Sequence, residues 1–249
     1  MPQASKKLAC FMAVINLSAL AVFVYEGWAP LWLLAAVVVC WLLLALLDIV
    51  YWKLWISELI TDYRLRLKFV HVLGGVLLVW LGMWLGERAL VALIVSMLLP
   101  CLLCAPALRR NPSMGVFGLA FLGVDRGGKP LEAPTYAFSG MLLAYLISPY
   151  REALYASILV LSLGDGAAAL VGRRLGKHPI PFNPLKSIEG TVACFTLAFL
   201  GASLVIDPLL ALGSALVGAL VEALPIPPDD NLNIPVAVSL FLQLSNLFC

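Results

Sequence analysis

The chain has 249 residues, of which 63% are hydrophobic and 12% are charged, and its formal net charge at pH 7 is +2. Soluble domains carry about 25% charged residues, so this composition, with a mean hydropathy of +1.02, excludes a soluble globular fold. The small net charge gives no indication of a nucleic-acid partner. We therefore expect an all-α, polytopic integral membrane protein.

A membrane-spanning helix needs about 20 apolar residues, and the sequence contains about nine stretches that approach this length. Turns rich in glycine and proline separate them. The predicted spans are 8–24, 30–50, 65–85, 89–107, 134–148, 152–171, 190–206, 208–224 and 234–248. No convincing small-residue cleavage site follows the first stretch, so we expect it to be retained as a span rather than removed as a signal peptide.

Nine spans make successive loops face opposite sides of the membrane. Fourteen of the sixteen lysines and arginines then fall on one side, and only Arg88 and Arg151 fall on the other. Because positive charge marks the cytoplasmic face, the N-terminus is predicted to be cytoplasmic and the C-terminus to lie outside. There is no obvious internal repeat. We predict a single transmembrane domain over 1–249, with N-terminal spans over 1–63 and a core over 64–249.

Three ionisable residues are predicted to lie within spans. Asp165, His71 and Glu222 all fall at one depth, close to the cytoplasmic headgroups. Ionisable groups inside a bilayer are costly and are candidates for function. An intramembrane salt bridge is the alternative for the two acids, and a packed, hydrogen-bonded side chain is the alternative for the histidine.

Two polar loops are predicted on the same side as these residues. The first, 172–191, is basic and rich in glycine, and it ends where the seventh span begins. Backbone amides at a helix N-terminus, with lysine and arginine nearby, bind phosphate. The second, 225–231, contains adjacent aspartates, and carboxylate oxygens are what Mg²⁺ prefers. Together with the intramembrane acids, they indicate phosphoryl transfer from a soluble nucleotide to a lipid. The alternatives are ordinary cytoplasmic positive charges and a plain turn.

The order and spacing of these motifs resemble the CTP-dependent lipid-alcohol kinases, which include dolichol kinase, phytol kinase and the CTP-using diacylglycerol kinase. The segments that carry the resemblance are Gly164-Asp165-Gly166 with Gly172 and Gly176, Lys186-Ser187-Ile188-Glu189-Gly190-Thr191, and Glu222 followed by Asp229-Asp230-Asn231 and Pro235. The segment Lys68–Gly75 resembles the family's basic-then-histidine segment, although Arg66-Leu67-Lys68 stands where adjacent Arg and Lys are expected. The acidic turn looks closer to phytol and diacylglycerol kinases than to dolichol kinase.

The resemblance implies a kinase-like core that uses CTP, or another nucleoside triphosphate, with Mg²⁺ as cofactor and a lipid alcohol as acceptor. The acceptor is expected to be phytol, a polyprenol or diacylglycerol. The active site is expected at the cytoplasmic face of a bacterial inner membrane, or at the equivalent face of an organelle membrane.

The predicted site has three groups of residues. The catalytic candidates are Asp165, Lys186 and His71. The nucleotide-binding candidates are Arg173, Arg174, Lys177, Lys186, Ser187, Glu189, Gly190 and Asn231. The magnesium-binding candidates are Asp165, Glu222, Asp229 and Asp230. Asp165 is either the base that takes the hydroxyl proton or a further metal ligand.

Two other functions compete with a lipid kinase. The lipid-alcohol kinases are related to phosphatidate cytidylyltransferase, so a cytidylyltransferase that makes a CDP-lipid and releases pyrophosphate is one alternative. A transporter is the other, and it would have polar sites near the bilayer centre and an inverted repeat. The acids here cluster towards one face, and no repeat is visible.

Overall fold

The structure, a computed structural model, describes residues 3–35, 37, 63–110 and 131–247, and these are mostly helical. The helices are α1 (Gln3–Tyr25), α2 (Tyr63–Leu85), α3 (Glu87–Arg110), α4 (Glu132–Ile147), α5 (Arg151–Leu159), α6 (Gly166–Leu175), α7 (Ile188–Ala202), α8 (Pro208–Ala223) and α9 (Asp230–Leu247). A π-helical segment, Val160–Asp165, joins α5 to α6, so that one apolar helix runs from Arg151 to Leu175.

The helical prediction is confirmed over the described residues. Helices lie within a few residues of eight of the nine predicted spans, and span 30–50 falls mostly outside the described residues. Two described helices, Glu87–Pro106 and Arg151–Leu175, are long and apolar enough to cross a membrane. The nine-span count and the cytoplasmic N-terminus stay predictions.

The chain divides into two compact units, of which the first is Met1–Leu67 with Leu85–Phe138. Within it α1 packs against α3. Pro100 lies inside α3 and has no N–H, so the carbonyl of Ser96, one turn earlier, loses its usual helical donor. The fully buried Asn16 of α1 donates from Nδ2 to that carbonyl at 3.0 Å. An unsatisfied carbonyl in an apolar setting is costly, so this bond stabilises the contact between the two helices.

The second unit is Lys68–Trp84 with Ser139–Cys249. In it α7 packs against α6, the π-helical segment and α8, and α8 packs against α9. Small residues allow the close approach. A β-carbon at Gly164 would lie 3.1 Å from Sγ of Cys194 on α7, and one at Gly166 would overlap the side chain of Val72 on α2. The two glycines beside Asp165 therefore bring a different helix close on each side of it.

A short antiparallel hairpin interrupts the helices of the second unit. Strands β1 (Pro179–Ile180) and β2 (Asn183–Ser187) pair between Pro179 and Ser187 and between Ile180 and Asn183. The all-α prediction did not anticipate this hairpin, since 172–191 was interpreted as a loop. Nδ2 of the buried Asn183 donates to the carbonyl of Ala223 at 3.0 Å, so the hairpin is attached to the end of α8.

Candidate active site

Asp165 is the last residue of the π-helical segment and is 4% exposed. Its Oδ2 accepts a hydrogen bond from Nζ of Lys68 on α2, which also makes the two residues an ion pair. A salt bridge is the alternative that the sequence offered to a free acid. The pairing holds the carboxylate in one orientation, which also suits a group that meets a substrate hydroxyl.

Asp165 ends a π-helical segment, Val160–Asp165, in which each turn contains more residues than a turn of α-helix. Single π-turns within α-helices occur frequently at functional sites. An unbroken helix is predicted over 152–171, and the apolar pattern of this stretch contains no signal for a π-turn. The widened segment also meets α2, because a β-carbon at Gly75 would overlap the side chain of Ser162.

His71 lies on α2 three residues after Lys68, on the same side of the helix. It interacts electrostatically with Lys68, Asp165 and Asp229. Its Nε2 is buried and has no hydrogen-bond partner among the described residues. An unpaired imidazole nitrogen one helical turn from Lys68 can donate to, or accept from, a hydroxyl group.

Lys186 on β2 forms the second charged group of the site. Its Nζ lies 2.7 Å from Oε1 of Glu222 on α8 and 2.6 Å from Oδ2 of Asp230 on α9. The other oxygen of Glu222 accepts a 3.2 Å hydrogen bond from the hydroxyl of Thr191. Burial alone would lower the pKa of Lys186, but Asp230, then Glu222 and Asp165, raise that pKa above its ordinary value. Lys186 is therefore a cation at every physiological pH.

The acidic turn is held together by its own hydrogen bonds. Oδ1 of Asp229 accepts from the backbone N–H of Asn231 at 2.9 Å and from Nδ2 of the same residue at 2.5 Å. The Asp229 carbonyl accepts from the N–H of Leu232 at 3.1 Å. These bonds stabilise the first turn of α9. The carboxylate of Asp230 in that turn is directed at Lys186.

The predicted phosphate loop is arranged around Ser187. The Oγ of Ser187 caps α7 by accepting from the N–H of Gly190 at 3.1 Å. A β-carbon at Gly172 would lie 3.2 Å from this oxygen, and one at Gly176 would lie 2.7 Å from it. The glycines thus allow the end of α6 to pack onto the start of α7. The Gly190 amide, predicted to contact nucleotide, already has an acceptor.

Glu189 holds the preceding turn in place. Its carboxylate accepts from the N–H of Lys177 at 3.1 Å and the N–H of His178 at 3.3 Å, and it lies 2.6 Å from Nδ1 of His178. Backbone amides, that of Glu189 first, and the His178 ring lower the pKa of Glu189 to about 2. The exposed Arg173, Arg174 and Lys177 lie next to this turn, at the end of α6.

The four predicted magnesium ligands have suitable oxygen donors but different partners. Asp165 pairs with Lys68, Glu222 and Asp230 with Lys186, and Asp229 with Asn231. In the part of the chain that the structure describes, no three His, Cys, Asp or Glu side chains are grouped as metal ligands. The carboxylates therefore do not fit a ready-made Mg²⁺ site, and the metal stays a prediction.

Sequence reasoning missed three residues of this arrangement. Lys68 was noted in the basic-then-histidine segment but was not assigned to the site, although its spacing to His71 places both on one helix face. Thr191 was noted only as the end of a motif. No local sequence pattern indicates the role of Asn183, because its hydrogen-bond partner, Ala223, lies forty positions away.

Sequence comparison finds relatives that are named phytol kinases. A protein of Oryza sativa subsp. japonica named probable phytol kinase 1, chloroplastic, is 31% identical over 72% of this chain and 63% of its own. A Triticum aestivum protein named probable phytol kinase, chloroplastic, is 31% identical over 75% of this chain and 70% of its own. Phytol kinase 1, chloroplastic, of Arabidopsis thaliana is 26% identical over 75% and 68%.

The chain thus spans 63% to 70% of the length of these three relatives. No protein-family model matches the chain, and no solved structure matches it significantly.

Proposed function

This chain belongs to the phytol kinase family, and we propose that it transfers the γ-phosphate of CTP, or of another nucleoside triphosphate, to the hydroxyl of a membrane lipid alcohol. An isoprenoid alcohol such as phytol or a polyprenol is the preferred acceptor, ahead of diacylglycerol. The observation that carries the proposal is Lys186, held between Glu222 and Asp230 in the same compact unit as the buried Asp165. It supplies a cation for phosphate in the unit that also contains an acid for the hydroxyl.

Phosphoryl transfer needs positioning and charge neutralisation more than covalent help. We propose that Lys186 and the basic end of α6, with Arg173, Arg174 and Lys177, hold the phosphates of the nucleotide. Ser187, Glu189 and Gly190 shape the loop beside them, and Asn231 orients the acidic turn or contacts the nucleotide.

At the acceptor, Asp165 is the proposed partner of the lipid hydroxyl, and Nε2 of His71 is a second hydrogen-bonding atom at the same place. As the bond between the hydroxyl oxygen and the γ-phosphorus forms, the bond to the bridging oxygen breaks and CDP leaves. The hydroxyl proton passes to Asp165 if that residue acts as the base. A Mg²⁺ ion bound with the nucleotide would neutralise phosphate charge, and Asp165, Glu222, Asp229 and Asp230 are the acids proposed to hold it once the nucleotide has displaced their present partners.

We further propose nine spans with a cytoplasmic N-terminus, a single domain with its kinase-like core over 64–249, and an active site on the cytoplasmic face. The charge distribution of the loops supports this orientation. Inside-out vesicles supplied with external CTP should phosphorylate lipid, whereas sealed right-side-out vesicles should not. Equal activity in both would contradict the proposed sidedness.

Purified protein incubated with labelled CTP and a panel of lipid alcohols tests the function. Lipid phosphate and CDP are the expected products. Release of pyrophosphate with a CDP-lipid would instead identify a cytidylyltransferase. Turnover on diacylglycerol alone would reverse the proposed order of acceptors but leave the kinase assignment in place.

A further inference from the structure

We propose that the ammonium of Lys186 occupies the position of a divalent cation between Glu222 and Asp230, so that the resting protein excludes a metal ion there. The sequence alone predicted these two acids as magnesium ligands. In the structure both acids instead form ion pairs with Lys186.

The distances fit an ammonium and not a bare metal ion. Nζ of Lys186 lies 2.7 Å from Oε1 of Glu222 and 2.6 Å from Oδ2 of Asp230. These are the lengths of charge-assisted N–H···O bonds, whereas Mg²⁺ requires oxygen ligands at about 2.0–2.1 Å. The two carboxylates therefore hold the ammonium at its ordinary bond lengths.

Burial restricts access to Glu222 in particular. The side chain of Glu222 is 2% exposed and that of Lys186 is 13% exposed, whereas that of Asp230 is 22% exposed. Lys186 covers Oε1 of Glu222, and Oε2 accepts a hydrogen bond from the hydroxyl of Thr191. A metal ion is therefore expected to bind Glu222 only when the ammonium moves away.

The neighbouring acids do not offer a substitute site. Asp229 is bonded to the backbone and side chain of Asn231, and Asp165 is paired with Lys68. A triphosphate brings negative charge that attracts the Lys186 ammonium, and it carries its own divalent cation. Nucleotide would thus draw Lys186 off the carboxylates and deliver the ion that replaces it. This last step rests on the proposed function, whereas exclusion of the ion from the resting protein does not.

The test uses Mn²⁺ as a probe, with free Mn²⁺ measured by electron paramagnetic resonance and no nucleotide present. Detergent-purified wild-type protein is compared with Lys186→Met, which removes the ammonium and keeps most of the apolar stem. Wild type is expected to bind Mn²⁺ weakly. Lys186→Met should bind it at least about tenfold more tightly, because two adjacent carboxylates are then unpaired.

Two controls locate the gain. The double variant Lys186→Met/Glu222→Gln should lose it, since only one carboxylate remains. Glu222→Gln alone, which keeps the Lys186 ammonium on Asp230, should bind Mn²⁺ no more tightly than wild type. Lys186→Gln repeats the measurement if the methionine variant unfolds. Wild-type binding of Mn²⁺ as tight as that of Lys186→Met would overturn the inference.

Mn²⁺ binding measured with and without nucleotide distinguishes this inference from the proposed function. With CTP, wild-type protein should bind more Mn²⁺ than the sum of protein alone and CTP alone. If lipid is phosphorylated but nucleotide produces no such excess, the delivery step is wrong. If no lipid alcohol is phosphorylated while Lys186→Met gains Mn²⁺ and wild type does not, the kinase proposal fails and the exclusion of the resting metal stands.

Discussion

Asn183 donates a 3.0 Å hydrogen bond to the carbonyl of Ala223, and this bond joins the hairpin that carries Lys186 to the end of the helix that carries Glu222. Both residues are buried. The carbonyls in the last turn of a helix have no partner within the helix, so the amide of Asn183 satisfies one that would otherwise be costly. The same bond sets how closely Lys186 approaches its acids.

Asn183→Ala is therefore expected to lower stability by about 1–3 kcal/mol, the usual cost of leaving a buried acceptor unpaired. Turnover with saturating lipid should fall as well, since Lys186 loses its fixed position. Thermal unfolding in detergent and turnover at saturating lipid measure the two effects. Asn233→Ala is the matched control, because its amide donates to the carbonyl of Ile226 at an exposed position. Equal losses in the two variants would contradict a special role for the buried bond.

Asp165→Asn should reduce phosphoryl transfer at least about a hundredfold, since a positioned acid–base group contributes roughly 10²–10⁴-fold. It also leaves Lys68 without its carboxylate, which costs stability. Adding Lys68→Met to Asp165→Asn removes the unpaired charge and should restore much of the unfolding temperature. Turnover should stay low in the double variant. Recovery of both stability and turnover would make Asp165 purely structural.

Asn16→Leu should destabilise the first unit by about 0.5–2 kcal/mol, the range for a hydrogen bond between membrane helices. The reason is that Pro100 cannot donate to the carbonyl of Ser96. Pro100→Ala restores a backbone N–H at that position, so the cost of Asn16→Leu should shrink in its presence. A double-mutant cycle on unfolding temperature measures this coupling. Strictly additive losses would show that the amide does not stand in for the missing helical donor.

The turn held by Glu189 should respond to acid. Its pKa is lowered from 4.5 to about 2 in the folded protein, so the ionised carboxylate stabilises the fold above the unfolded pKa. That contribution is lost as pH falls from 4.5 to about 2. The difference in unfolding temperature between wild type and Glu189→Gln should therefore be largest at neutral pH and shrink across this window. A difference that does not change with pH would mean that the charge of Glu189 contributes nothing.

The helices could be predicted from the sequence because length and apolarity alone determine whether a stretch can span a bilayer. The glycines around Asp165 could also be recognised in the sequence. The helices that pack against those glycines could not. Val72 and Cys194 approach from opposite sides, at positions that sequence distance does not reveal. The π-helical segment was missed for a related reason, since it comes from packing and not from local propensity.

The charges of the site were recognised, but their pairing was not. A buried acid requires a counter-charge, and the sequence offered both a metal ion and a basic side chain for that purpose. Composition cannot choose between a metal ion and a basic side chain, because the partners are far apart in sequence. Lys68 lies 97 positions from Asp165, and Lys186 lies 36 and 44 positions from Glu222 and Asp230. The choice depends on how α2 and the hairpin pack, which only the folded chain shows.

The π-helical segment has a consequence for sequence change within the helix Arg151–Leu175. A π-turn closes its hydrogen bonds over one more residue than an α-turn, so removing one residue between 160 and 165 would return this stretch to ordinary α-helix. Each residue of an α-helix turns it by about 100°, and each residue of the wider π-turn turns it by less, so the π-turn absorbs one extra residue within nearly the same total rotation. A deletion before Gly164 would therefore keep Arg173 and Arg174 on nearly the same face relative to α5. A one-residue difference in length here is thus compatible with the same placement of the motifs on either side, whereas the same deletion in an ordinary α-helical stretch would rotate everything that follows.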